Sequence, residues 1–179
     1  MAGELQRAQL RPVQIVGGQP HKPYMPAMSG RLEREGRVGA RLAGRVLSIE
    51  NDAAWQQRVS TLAAQRGLTN LRCEHHPIDA RRPDLYPSLS YLAALQPDAH
   101  DVIVVDGFCD YENSEHGLLR DLTFDRALAC VRRPGGLIVV DDYWRFPAMA
   151  QRAPEARLTV FQSTGPCRYG VTSTAVFEF

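Results

Sequence analysis

Two short stretches of this chain are apolar at every position, and each is followed directly by aspartate. Val102–Val105 precedes Asp106, and Leu137–Val140 precedes Asp141–Asp142. A strand without polar alternation is buried on both faces, which is typical of a parallel sheet covered by helices on both sides. The pattern therefore predicts an α/β fold with these two strands near the centre of its sheet.

The rest of the pattern alternates between short apolar runs and helical segments. Val46–Ile49 predicts a strand ending at Glu50, and Asp52 is placed to cap a helix over 53–66 that Gly67 ends. The same criteria predict a weak strand at Leu71–Cys73, helices at Leu89–Leu95 and Gly117–Val131, and strands at Leu158–Phe161 and Val171–Phe179. No helix separates the last two strands. We therefore expect a doubly wound, mostly parallel sheet with a C-terminal antiparallel hairpin.

Composition argues against several classes of protein. A formal net charge of +1 disfavours binding to nucleic acid through bulk charge. No apolar run reaches the roughly 18 residues that a membrane span needs, and the amino terminus lacks the apolar stretch of a secretory signal. The 4 cysteines lie far apart without a Cys-x-x-Cys pair. We expect a cytoplasmic protein that acts on a small molecule, with no nucleic-acid or membrane partner, and the sequence leaves its oligomeric state open.

Acidic residues close three of the predicted strands. In an open α/β sheet, ligands bind beyond the carboxyl ends of the strands, where Glu50, Asp106 and Asp141–Asp142 would meet. An acid that ends a strand before a helix suits the two hydroxyls of a ribose, because its two oxygens match a cis-diol. The competing interpretation of Glu50 is an exposed charge near a helix N-terminus.

Three segments together resemble a known family. They are VLSIENDAAWQQRVSTLAAQRGLTNLRCEH from Val46, DVIVVDGFCDYENSEHGLLRDL from Asp101, and RRPGGLIVVDDYW from Arg132. In order and spacing they resemble class I S-adenosylmethionine-dependent methyltransferases, and most of all the small-molecule O-methyltransferase-like members. The resemblance implies a Rossmann-like methyltransferase fold, a seven-stranded sheet with its last strand inserted antiparallel. It also implies methyl transfer from S-adenosylmethionine to a small hydroxyl-bearing acceptor.

The resemblance assigns roles to individual residues. Glu50 would bind the ribose hydroxyls, the segment 74–79 would line the adenine pocket, and Asp106 would face the methionyl part and the methyl group. The turn Pro134–Gly136 would be structural. The cofactor-binding residues implied in this way are Glu50, Asn51, His76, Asp79, Asp106 and Gly107.

The amino-terminal part departs from the family pattern. Such enzymes begin with a strand and a glycine-rich turn about twenty residues before the ribose-binding acid. Here Gly30, Gly36 and Gly39 follow no apolar strand. The segment Val13–Gly18 has the pattern of a strand and a glycine turn, but its Gly17 precedes Glu50 by 33 residues.

Two explanations stay open for this departure. In one, Val13–Gly18 supplies the strand of a diverged cofactor loop. In the other, the amino-terminal segment is translated out of frame or from a wrong start and is joined to a methyltransferase domain. The composition slightly favours this second explanation, because the chain is rich in arginine and has Lys22 as its single lysine. We expect residues 1–39 to be irregular and 40–179 to form the methyltransferase-like domain, and we leave open whether the first strand is absent.

A hydroxyl acceptor needs a base, or a metal ion that lowers its pKa. The candidate bases are His75, His76, Asp106 and Asp142, and we predict Asp106 and Asp142 to be catalytic. The alternative is a Mg²⁺ site made of Asp106, Asp141 and Asp142, as in catechol-type O-methyltransferases; the metal-independent interpretation is preferred. Tyr143–Trp144 would cover the site rather than catalyse.

Other functions compete with this interpretation. A catalytically inactive or truncated remnant of the methyltransferase fold would explain the missing glycine motif. A nicotinamide-dependent Rossmann enzyme ranks third, since an acid after the second strand also serves dinucleotides but no complete Gly-x-Gly-x-x-Gly is present. Cys109 with His116 is a weak candidate nucleophile.

Overall fold

The computed structural model describes residues 13–16, 44–97, 100–106, 118–163 and 172–179. Its strands are β1 (Val13–Val16), β2 (Val46–Glu50), β3 (Leu71–His75), β4 (Val102–Val105), β5 (Leu137–Val140), β6 (Arg157–Ser163) and β7 (Thr172–Glu178). Its α-helices are α1 (Ala53–Gln65), α2 (Ser90–Ala93), α3 (Leu118–Cys130) and α4 (Met149–Arg152), with short 3₁₀ helices at Pro83–Ser88 and Tyr143–Arg145.

The described strands form one 7-stranded sheet in the order β3-β2-β1-β4-β5-β7-β6. Strands β1 to β5 pair in parallel, and β7 runs antiparallel to both β5 and β6. The expected α/β fold with a C-terminal antiparallel hairpin is therefore confirmed. So is the insertion of the last strand, because β7 lies between β5 and β6 rather than at the edge.

The first strand is present. Val13 aligns with Val46 of β2 on one side and with Val102 of β4 on the other, so β1 occupies the centre of the sheet. The interpretation in which this strand is absent is wrong, whereas the division into residues 1–39 and 40–179 stays a prediction. The presence of this strand removes one reason to suppose that the amino-terminal segment is translated out of frame. The glycines proposed for the cofactor loop, Gly17, Gly18, Gly30, Gly36 and Gly39, lie outside the described residues.

Local sequence signals explain where α1 begins and ends. The Asp52 side chain accepts a hydrogen bond of 2.7 Å from the Trp55 N–H, which is the expected N-cap. Gly67 follows the helix with a φ of +63°, a conformation that side chains other than glycine adopt at a cost. The predicted helix Leu89–Leu95 is shorter in the structure. Leu89 is extended, so it separates the 3₁₀ helix at Pro83–Ser88 from α2.

Helix α3 packs on one face of the central strands. Ile103 and Val105 of β4 and Ile138 and Val140 of β5 are fully buried. The ring centroids of Phe124 on α3 and Phe177 on β7 lie 5.0 Å apart in this core. The opposite positions of β4 and β5 are only half-buried.

The turn before β5 depends on glycine. Gly135 has a φ of +93°, and a Cβ on Gly136 would lie 2.3 Å from the Arg132 carbonyl oxygen. The turn is tied to the end of the chain, because the Phe179 N–H donates to the Gly136 carbonyl at 3.1 Å. Its geometry supports the structural role that the sequence implies for it.

Candidate functional site

Glu50 is a buried carboxylate at the carboxyl end of β2. It is 2% exposed, and Ser48 Oγ donates a 2.7 Å hydrogen bond to its Oε1. Its Oε2 is buried and has no hydrogen-bond partner among the described residues. A buried acceptor oxygen left without a partner is costly, so this atom points to a ligand with hydroxyl or N–H donors.

The surroundings of Glu50 change its proton affinity. Burial raises the pKa of this carboxyl to about 7, and the Asp52 charge adds to the rise while the Ser48 hydrogen bond opposes it. At neutral pH the group therefore titrates. Burial, and then the Glu50 charge, also raise the pKa of the Cys73 thiol to about 11, so this thiol stays protonated and unreactive.

Two further buried polar atoms near the end of β2 lack partners among the described residues. They are Asn51 Oδ1, directly after Glu50, and the hydroxyl of Tyr91 on α2, a fully buried side chain. Burial raises the pKa of Tyr91 well above its ordinary value; the Arg120 charge opposes the rise, and the Glu50 and Asp106 charges add to it. The charges of Glu50 and Asp106 therefore both reach the Tyr91 hydroxyl.

The Arg120 side chain forms hydrogen bonds to the carboxyl ends of both β4 and β5, which precede the candidate aspartates. It lies on α3, is 4% exposed, and its Nη1 donates to the carbonyl oxygens of Val105 at 2.9 Å and Asp141 at 3.4 Å. The guanidinium carbon lies 5.3 Å from the Phe146 ring centroid. Sequence reasoning missed Arg120 and Tyr91, because neither an arginine nor a tyrosine on a helix differs by itself from a solvated or core residue.

The two aspartates after β5 are held differently. Asp141 Oδ1 accepts a hydrogen bond of 3.2 Å from Thr174 Oγ1 on β7. Asp142 has a φ of +53°, and its carbonyl accepts from the Arg145 N–H at 2.9 Å. Among the described residues, which include Asp106, no group of three His, Cys, Asp or Glu side chains is placed to hold a metal ion. The alternative Mg²⁺ set is therefore not assembled in this structure.

The residues expected to line an adenine pocket are engaged with their neighbours. The His76 N–H donates to the Glu50 carbonyl at 2.8 Å, which fixes this segment beside the end of β2. Both ring nitrogens of His76 lie within hydrogen-bond distance of side chains, Ser90 Oγ at 3.0 Å and Glu74 Oε2 at 2.9 Å. Asp79 is exposed and paired with Arg81, whose hydrogen bonds lower the pKa of Asp79.

Some of the remaining candidate site residues lie among the residues that the structure describes, and others lie outside them. His75 Nε2 lies 3.3 Å from the Asn51 carbonyl oxygen. Tyr143 is buried with its hydroxyl donating to the Pro147 carbonyl at 3.2 Å, while Trp144 is 49% exposed. Gly107, Cys109 and His116 lie outside the described residues. Within the described part of the chain, no helix has the length and apolar character needed to cross a membrane.

Comparisons with known proteins support the fold. No protein-family model matches the chain, and no curated protein matches its sequence. Among solved structures, a methyltransferase from Geobacter sulfurreducens matches with a TM-score of 0.53 and 17% identity over 94% of this chain and 70% of that one. TYW2 from M. jannaschii in complex with AdoMet gives a TM-score of 0.54 and 12% identity, over 94% and 68% of the two chains.

An rRNA methylase from Streptococcus thermophilus also matches. It gives a TM-score of 0.51 and 10% identity over 95% of this chain and 89% of that one. At such identities the likeness concerns the fold. The chain therefore has the Rossmann-like fold of class I methyltransferases, and its structural neighbours include RNA methylases beside other methyltransferases.

Proposed function

We propose that this protein transfers a methyl group from S-adenosylmethionine to a small hydroxyl-bearing acceptor. The observation that carries the proposal is the buried Glu50 carboxylate, whose Oε2 lacks a partner at the carboxyl end of β2 in a methyltransferase fold. Ligands of open α/β sheets bind at this edge, and a buried carboxylate is suited to accept hydrogen bonds from both hydroxyls of a ribose.

The residues present fit such a cofactor. Glu50 would accept from the ribose hydroxyls, and Asn51 Oδ1 supplies a second buried acceptor beside it. Asp106, at the end of β4, would face the methionyl part. Tyr91 adds a buried hydroxyl, and the charges of Glu50 and Asp106 both contribute to its raised pKa. When bound, S-adenosylmethionine supplies a methyl group on a positively charged sulfur, which an oxygen nucleophile displaces directly.

The chain's own contribution is orientation and proton removal. Holding the acceptor in line with the methyl group provides much of the acceleration in such a displacement. The acceptor hydroxyl would lose its proton to Asp106 or Asp142, which follow β4 and β5. Arg120 supports both positions, because it donates to the carbonyl oxygens of Val105 and Asp141, each directly before one of these aspartates.

A small acceptor agrees with the charge of the chain. RNA methylases must bind a polyanion, and binding through phosphates requires many basic residues on one surface. This chain has a formal net charge of only +1. The proposal therefore assigns a small hydroxyl-bearing molecule as acceptor, even though an rRNA methylase is among the structural neighbours.

A transfer assay tests the proposed function. Purified protein would be incubated with tritium-labelled S-adenosylmethionine and a panel of catechols, phenols and aliphatic alcohols, with ribosomal RNA as a separate substrate. We expect label in a small hydroxyl compound, and about a hundredfold slower transfer by Asp106→Asn or Asp142→Asn, whichever replaces the base. Asp84→Asn is the matched control, since Asp84 is an exposed carboxylate paired with Arg82.

The outcomes separate the alternatives. Label found in RNA alone would overturn the small-molecule acceptor. A folded protein that binds the cofactor but labels no acceptor would contradict the enzymatic function and favour a catalytically inactive remnant. Binding of NADH instead of S-adenosylhomocysteine, measured by fluorescence titration, would favour the nicotinamide-dependent enzyme.

A further inference from the structure

Three side chains beside β3 form a continuous hydrogen-bonded series. His76 Nδ1 lies 3.0 Å from Ser90 Oγ, and His76 Nε2 lies 2.9 Å from Glu74 Oε2. Glu74 belongs to β3, His76 follows that strand, and Ser90 begins α2. A hydroxyl, an imidazole and a carboxylate in this order are the parts of an activated serine nucleophile.

The carboxylate selects the imidazole tautomer that such a series needs. With Glu74 accepting a hydrogen bond from Nε2–H, the neutral ring carries its proton on Nε2 and leaves Nδ1 as an acceptor. Nδ1 then accepts from the Ser90 hydroxyl and can take its proton. Each of the three groups therefore has a donor or acceptor role that agrees with its neighbours.

Neighbouring groups hold Glu74 and His76 in place, whereas Ser90 is exposed. Glu74 Oε1 also pairs with Arg72 Nε at 2.8 Å, and the His76 N–H donates to the Glu50 carbonyl at 2.8 Å. The side chains of His76 and Glu74 are 19% and 23% exposed, so solvent screens their interaction only in part. Ser90 is exposed and so accessible to a reagent or substrate.

We infer that Ser90, His76 and Glu74 act as nucleophile, base and orienting carboxylate in the hydrolysis of small activated carboxylic esters. Ser90 Oγ bonds to the ester carbonyl carbon while its proton passes to His76 Nδ1. The alcohol leaves as its bond to that carbon breaks, and it takes the proton from His76. Water then attacks the acyl carbon of the Ser90 ester while His76 Nδ1 takes a proton from it. The bond between that carbon and Ser90 Oγ breaks, His76 returns the proton to Oγ, and the carboxylic acid leaves.

This activity requires neither S-adenosylmethionine nor an acceptor hydroxyl, so its test is independent of the proposed methyl transfer. The full chain would be incubated with a fluorescent alkyl fluorophosphonate, which reacts covalently with activated serines and displaces fluoride. Mass spectrometry of the intact chain and its peptides would locate the adduct. Release of p-nitrophenol from p-nitrophenyl acetate would measure turnover.

Two variants and one matched control complete the experiment. We expect one adduct, on Ser90, which is lost in Ser90→Ala. Labelling should be at least about tenfold slower in His76→Gln, because the base is removed while the hydroxyl stays. Ser88→Ala is the control: Ser88 lies two residues away, is exposed, and donates to the Leu85 carbonyl at 2.9 Å rather than to an imidazole. It should be labelled at the wild-type rate.

Several results would overturn the inference. They are no adduct on a folded wild-type chain, an adduct on a residue other than Ser90, or unchanged labelling in His76→Gln. Thermal unfolding of each variant establishes that it is folded. If Ser90→Ala fails to fold, two other results test the inference. They are the labelling of Ser90→Thr and the position of the adduct on the wild-type chain.

Discussion

At the scale of single residues, Glu50 combines two properties that rarely occur together. It is an acidic side chain with almost no solvent exposure, and one of its oxygens has no hydrogen-bond partner among the described residues. Such a group destabilises the folded chain when it is ionised and alone, and it becomes favourable when a ligand supplies donors. These properties support the proposal that the buried acid binds a ligand.

The pH dependence of stability should reveal this group. Because the pKa of Glu50 is raised to about 7 in the folded chain, the folded state holds a proton that the unfolded state releases near 4.5. The unfolding free energy should therefore fall as pH rises from about 5 to about 8, by roughly 2 to 3 kcal/mol from this group. Urea unfolding at pH 5 and pH 8 measures the change.

Two substitutions test that assignment. Glu50→Gln should remove most of the fall, since the amide does not titrate. Glu155→Gln is the control and should leave the fall in place. Glu155 is exposed, and a backbone hydrogen bond and then the hydrogen bond from Arg133 lower the pKa of its carboxyl. An equal fall in Glu50→Gln and wild type would contradict the assignment.

The residue scale also separates what sequence can and cannot predict. Glu50, Asp106 and the Asp141–Asp142 pair were predictable, because each follows an apolar strand and parallel strands end at the same edge. Tyr91 and Arg120 were not, since their importance depends on burial and on contacts between distant segments. Among the described residues no group of three His, Cys, Asp or Glu side chains is placed to hold a metal ion, so the alternative Mg²⁺ set gains no support there and stays a prediction.

At the scale of secondary-structure elements, strong local signals predicted most of the described fold. Strands β4 and β5 and helix α1 with its Asp52 cap have the predicted type and closely similar bounds. Strand β1 was harder to assign, because it lies much farther from Glu50 than the family spacing suggests. Pairing with two neighbours, rather than local sequence, establishes it as a strand.

Hydrogen exchange tests the place of β1 in the sheet. Backbone amides of a strand paired on both sides exchange slowly, whereas an irregular segment exchanges within seconds. We expect peptides spanning Val13–Val16 to be protected as strongly as those spanning β4, and more strongly than those spanning the edge strand β6. Exchange at Val13–Val16 as fast as in an unfolded peptide would contradict the central position of β1.

At the scale of the whole molecule, the strand order places the candidate residues at one edge of the sheet. Glu50 and Asp106 are distant in sequence, but β1 alone separates β2 from β4. The reversal in strand order around β1 opens the crevice in which doubly wound folds bind ligands. The fold defines this location and the hydrogen-bond acceptors available there. It does not define the molecule that would receive the methyl group, because this depends on side chains and loops that vary within one fold.

Calorimetric titration with S-adenosylhomocysteine tests the central claim most directly, because it needs no acceptor. We predict micromolar binding to the wild-type chain, and dissociation constants at least about tenfold higher for Glu50→Ala and Glu50→Gln, since each loses a charge-assisted hydrogen bond to the ribose. Glu155→Gln should bind as the wild type does. No binding to the folded wild type, or equal affinity in the Glu50 variants, would contradict the assignment of Glu50 as the cofactor-binding carboxylate.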